Sequence, residues 1–112
     1  MVKLKINNNL IDVEKVSEFG KFMGLMFRRK EKARALLFVF DKPIRMAIHS
    51  FYVFFPFVAV WLDDKNRIME KQLVKPFRLY IKPKKRFYKL LEVPINKKYR
   101  RKILNLVGKR NI

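Results

Sequence analysis

The chain contains no cysteine, which excludes a disulfide framework, a thiolate zinc site, cysteine nucleophiles and thiol redox chemistry in one step. Glycine is nearly absent as well, at 3 of 112 residues, so no Gly-rich phosphate loop exists, and no HExxH, CxxC or EF-hand spacing occurs. Histidine appears once, as His49, and serine only as Ser17 and Ser50. A histidine pair for a metal is therefore impossible. A Ser-His-Asp arrangement would need Ser17 or Ser50, and a strand would turn Ser50 to the face opposite His49. No metal or other cofactor is expected.

Acidic residues are also scarce. Nine Asp and Glu face 28 Lys and Arg, for a net charge of +19, and residues 71–112 hold 15 basic side chains against the single acid Glu92, a net of +14. Charge of that density attracts polyanions by counterion release, whatever fold lies beneath it.

What the chain has in abundance is apolar material: half of its residues are hydrophobic, 11 of them Phe. At this length one core forms without help from disulfides or metals, so residues 1–112 read as one domain. The first residues, MVKLKINNNLID, lack the apolar segment and small-residue cleavage site of a secretory signal, and the expected compartment is the cytoplasm. Residues 46–62, MAIHSFYVFFPFVAVWL, resemble a membrane span, but they are short for one and Pro56 interrupts them. Their β-branched and aromatic content predicts two buried strands meeting near Pro56.

Other β-type runs end in turn residues: Val2 to Ile6, Leu36 to Phe40 and Val58 to Leu62, with further candidates at Arg67 to Val74 and Phe87 to Val93. With no long helix between them to make parallel crossovers, they predict a mainly β fold, a small antiparallel sandwich or half-closed barrel. Two short helices complete it. The first is capped by Ser17, with Phe19, Met23 and Met26 on one face and Gly24 as its end. The second is capped by Asn96, buries Tyr99, Ile103 and Leu106 or Val107, and stops at Gly108.

Five blocks in order carry a resemblance: Gly24-Leu25-Met26-Phe27-Arg28; Leu36-Leu37-Phe38-Val39-Phe40; Ile48-His49-Ser50-Phe51-Tyr52 running through Pro56 to Trp61-Leu62-Asp63; Lys75-Pro76-Phe77-Arg78; and Leu90-Leu91-Glu92-Val93-Pro94. Over about residues 17–108 the sequence resembles the domain of unknown function 192 family. The resemblance implies a mainly β single domain and supplies no reaction, substrate or cofactor. Many members of that family have Asp two residues after the proline of the third block, where this chain has Val58, and a terminal Gly-Asp pair where it has Lys109 after Gly108. A site built on those carboxylates is altered here.

Among candidate residues, His49 is the one side chain that ordinarily titrates near neutrality. On a strand over Ile44 to Phe51 it would share a face with Arg45, Ala47 and Phe51. Arg28 is either a clamp for phosphate or carboxylate or a tie to a loop carbonyl. Glu92, alone among cations, reads as half of an internal salt bridge. The basic residues form two clusters, Lys82, Lys84, Lys85 and Arg86 around Pro83, and Lys97, Lys98, Arg100, Arg101 and Lys102 on the last helix. Phe77, Tyr80, Phe87 and Tyr88 are interleaved with these charges, a composition that suits stacking on bases. The sequence thus favours a non-enzymatic domain that binds RNA, DNA or another polyanion through a basic face. Its rival is a small-ligand or catalytic domain with a pocket near Arg28, Arg45 and His49.

Overall fold

The most apolar stretch of the chain becomes its most enclosed strand. A computed structural model describes residues 2–6, 9–16, 25–26, 28–50, 52–78 and 80–107, side chains excepted at 105–107. In it FVAVWL forms β4 (Phe57–Leu62), with every side chain buried. Val58, Val60 and Leu62 join one core cluster, whereas Phe57, Ala59 and Trp61 join a second, as the two-residue period of a strand requires. A strand covered on both faces has no polar side to show. That is why residues 46–62 mimic a membrane segment. Among the described residues no helix is long and apolar enough to cross a membrane.

The remaining elements are β1 (Val2–Ile6), β2 (Asn9–Lys15), β3 (Ala35–Ile44), β5 (Ile68–Val74), β6 (Phe87–Pro94) and the helix α1 (Arg100–Val107). The six strands form one sheet in the order β1-β2-β3-β6-β4-β5, curled into a half barrel, so the mainly β class holds. Strict antiparallel order does not, because β2 and β3 run parallel, with Val13 opposite Ala35 and Lys15 opposite Leu37. A parallel neighbour needs a crossover of about a dozen residues or more. Residues 16–34 provide the length. The first predicted helix falls in that connection, and its residues 17–24 lie outside the described residues.

One core cluster joins Leu4, Ile6, Ile11, Val13, Leu37 and Val60 to Tyr99 and Ile103 of the helical segment. The opposite cluster lies under loops, with Phe38, Phe55, Trp61, Ile81 and Phe87 at its centre. Asn96 caps the helical segment as expected, its side-chain oxygen accepting the Tyr99 N–H at 3.2 Å. Its amide also donates to the carbonyls of Lys30 and Ala33 at 2.8 and 3.0 Å. One buried side chain therefore holds both the start of the helix and the turn that leads into β3.

The expected strand over Ile44 to Phe51 does not form. β3 ends at Ile44, and among the described residues 45–50 only Ile48 makes a bridge, to Ile81. Of the two strands foreseen in residues 46–62, the first is replaced by a loop. The physical reason is Ser50, whose backbone and hydroxyl take loop partners in place of a ladder.

Candidate functional site

Ser50 is fully buried, and each of its polar groups is used. Its hydroxyl donates to the Lys75 carbonyl at 2.7 Å and accepts the Arg78 N–H at 2.7 Å. Its own N–H reaches the Arg78 carbonyl, and its carbonyl accepts the N–H groups of Val53 and Phe77. A buried hydroxyl left unpaired would be costly, and here it both donates and accepts. The result ties the loop over residues 50–56 to the loop over residues 75–81.

These two loops carry the most exposed aromatic side chains of the described chain: Tyr52 is 45% exposed, Phe54 58%, Phe77 52% and Tyr80 69%. Phe54 and Phe77 meet edge to face, with ring centroids 5.6 Å apart. Tyr52 and Phe77 have φ of 60° and 62°, the left-handed region that a bulky residue enters at a cost of about 1–3 kcal/mol. The Ser50 hydrogen bonds hold the backbone there. Lys75 and Arg78, both exposed, stand on either side of Phe77 in the sequence. Of the four aromatics that the sequence interleaves with charge, Phe77 and Tyr80 face solvent, Tyr88 is half-buried and Phe87 is enclosed in the core.

The predicted polar pocket is dispersed. Arg45 donates from Nε to the Pro83 carbonyl at 3.0 Å, and exposed His49 adjoins the Ile48–Ile81 bridge, so both border the segment over residues 81–86. Phe51 lies outside the described residues. Arg28 belongs elsewhere: its guanidinium pairs with Glu14 on β2 at 3.1 Å. Glu14 shares a row across the sheet with Leu36 and Glu92, while Arg45 follows Ile44, which pairs with Phe87. Along β6 those rows are five residues, roughly 17 Å, apart.

Glu92 is buried between Leu36 of β3 and Ala59 of β4. Among the described residues it has no salt bridge, contrary to expectation, because Arg28 is bonded to Glu14. Burial raises its carboxyl to about 8, against the opposing pull of the Arg28 charge. At neutral pH residues 71–112 then carry no negative side chain.

The two basic clusters lie on separate surfaces. Lys84, Lys85 and Arg86 are exposed just before β6, with Lys82 half-buried, whereas exposed Lys97, Lys98, Arg100 and Arg101 and half-buried Lys102 follow its other end. Lys98 and Lys102 face β2, where Asp12 is held below the usual carboxylate range by a hydrogen bond from Lys3, by that lysine's charge and by these two. The amino end of the helical segment is partly closed from within, since Glu31 accepts the Lys97 N–H and Asn96 that of Tyr99. Among the described residues no three His, Cys, Asp or Glu gather as a metal site. The Ser50 hub and its aromatic loops were missed in the sequence; the dense Phe and Tyr between residues 51 and 57 was the signal, but it read as strand.

The curled six-stranded sheet of the described residues defines a class of fold already known from solved structures. A protein of unknown function from Novosphingobium aromaticivorans matches 82% of this chain and 68% of its own, with a TM-score of 0.66 at 16% identity. A protein from Sinorhizobium meliloti, provisionally described as a transcription regulator, matches 83% and 74%, with a TM-score of 0.68 at 18% identity. The chain belongs to the DUF192 family, described as uncharacterized ACR, whose model matches residues 2–104. UPF0127 proteins of Pyrococcus horikoshii and Thermococcus kodakarensis are 31% and 34% identical to it over 72 and 77 residues. Those matches span 64% and 67% of this chain, but 62% and 48% of the relatives.

Proposed function

We propose that this chain binds nucleic acid, stacking unpaired bases on the aromatic loops while lysines and arginines hold the phosphates. The observation that carries the reading is the set of Tyr52, Phe54, Phe77 and Tyr80, exposed on two loops that Ser50 bonds together. A soluble fold gains nothing from holding bulky residues outward at positive φ. A platform for bases does, because every base has a face to stack and each such contact contributes about 1–3 kcal/mol. The net charge of +19 supplies the attraction. The description of the Sinorhizobium protein as a regulator of transcription points the same way.

Fluorescence anisotropy with labelled single-stranded and duplex oligonucleotides tests the reading. Single strands should bind more tightly than duplexes of equal length, with weak dependence on sequence. Phe54→Ala with Tyr80→Ala should weaken single-strand binding by about 10- to 100-fold, from the loss of one or two stacking contacts. Absence of binding to either form at about 50 mM salt, by a folded protein, would refute it, since a polyanion site is strongest at low salt.

A further inference from the structure

A single row across the sheet carries two carboxyl groups within the influence of one arginine. Glu14 on β2 stands opposite Leu36 on β3, and Leu36 stands opposite Glu92 on β6. Residues opposite one another share a face, so both carboxyls belong to the same side of the sheet, their backbones two strand spacings or about 10 Å apart. Arg28, in the connection between β2 and β3, donates to Glu14 at 3.1 Å, and its charge also acts on Glu92.

The two carboxyls differ in their surroundings. The side chains of Arg28 and Glu14 are 37% and 41% exposed, so their pair is partly in water and contributes little. Glu92 is 6% exposed and has no salt bridge among the described residues. Directly opposite it stand Leu36 and Ala59, members of a core cluster that the loops complete with Leu25, Val53 and Phe55. Arg34, two residues before Leu36, is exposed. On β5, Gln72 ends the row and is neutral, and Glu70 is already bonded by the Lys84 N–H and the Gln72 amide. Arg28 is thus the cation on which an ionised Glu92 can draw, and only a weak pair holds it elsewhere.

We propose that Arg28 is an exchangeable partner: while Glu92 is protonated it pairs with Glu14, and when Glu92 loses its proton it turns to Glu92 and releases Glu14. A carboxylate left unpaired in that interior is costly, whereas a half-exposed pair is given up at little cost. Burial raises Glu92 to about 8, which places the exchange just above neutrality. It takes the start of the 28–34 segment with it, while Asn96 keeps the 30–33 turn fixed to the helical segment. Ionisation of one buried group thereby becomes a rearrangement at the surface. The aromatic loops take no part, so the exchange stands or falls independently of nucleic-acid binding.

The chain has five glutamates, so ¹³C labelling of their carboxyl groups gives a spectrum simple enough to follow through pH, with Glu14→Gln and Glu92→Gln assigning the two signals. Glu92 should titrate once, above neutrality. Glu14 should titrate in acid and show a second step at the midpoint of Glu92, when its arginine leaves. Glu14→Gln frees Arg28 and should make Glu92 about tenfold more acidic, a fall of about one pH unit in its midpoint. Arg28→Gln should raise that midpoint, and on this background Glu14→Gln should leave it in place. If the arginine variant fails to fold, the second step in the parent protein decides. Any of four results would overturn the proposal: a Glu92 signal that titrates in the ordinary acid range or not at all up to about pH 10, a Glu14 signal with no second step, a Glu92 midpoint that Glu14→Gln leaves unmoved, or an effect of Glu14→Gln that persists without Arg28.

Discussion

Glu92 shows how far one residue can depart from its sequence appearance. Standing alone among fifteen cations, it looks like the natural partner of any of them, yet β6 buries it between Leu36 and Ala59. Its folded-state value of about 8 exceeds the ordinary 4.5. Between those values the folded protein holds a proton that the unfolded chain has released, so stability falls as pH rises through this window and is level outside it. Glu92→Gln keeps the shape and removes the titration. The variant should match the parent near pH 4 and be more stable by a few kcal/mol near pH 8, at about 1.4 kcal/mol for each unit of pKa difference. Urea denaturation at several pH values reads this directly. A parallel pH dependence in both proteins would show that Glu92 is not the titrating group.

Elements were legible where both faces of a strand, or one stripe of a helix, told the same story. β4, β5 and β6 were found within a residue or so because burial is continuous along β4, alternates along most of β5 and is continuous over the last five residues of β6. β2 was not seen, because NLIDVEK offers only Ile11 and Val13 to the core and interposes Asp12 and Glu14. Its pairing with β1, Ile6 opposite Asn9, supplies what local composition does not. Residues 45–50 erred the other way. They have strand composition, but Ser50 draws them into loop hydrogen bonds that span 25 to 28 positions of sequence. Asn96 was legible as a cap but not as the clamp on the 30–33 turn, a contact 63 to 66 positions away. Asn96→Ala should therefore cost more than the roughly 1 kcal/mol of an ordinary cap, about 3 kcal/mol in all, because two carbonyls lose their donor as well. Chemical denaturation gives the number, and a loss near 1 kcal/mol would mean that those carbonyls find other donors.

At the scale of the molecule the sequence showed how much charge there is and not where it lies. Lysine and arginine are kept at the surface by the cost of burying them, so their exposure was foreseeable. Their division between the two ends of β6, and the exposure of Phe77 between Lys75 and Arg78, follow from topology. If about five of these cations meet phosphates, log affinity should fall against log salt with a slope near −3.5 on single strands and near −4.5 on duplexes. Lys75→Gln with Arg78→Gln should flatten the single-strand slope by about 1.4, two contacts' worth, while Arg100→Gln with Arg101→Gln leaves it alone. The reverse outcome would move the interface to α1.

Among the described residues, β1 and β5 are the outer strands of the sheet. An outer strand is where a second copy of the chain can add a strand, the usual starting point of aggregation. Lys3 and Lys5 stand exposed on one edge and Lys71 on the other, so any two edges that approach bring like charges together. This guard is electrostatic and shrinks with the Debye length, from about 10 Å at 0.1 M salt to about 3 Å at 1 M. Salt high enough to release a polyanion, if one binds as proposed, would therefore also lower the barrier between copies of the protein.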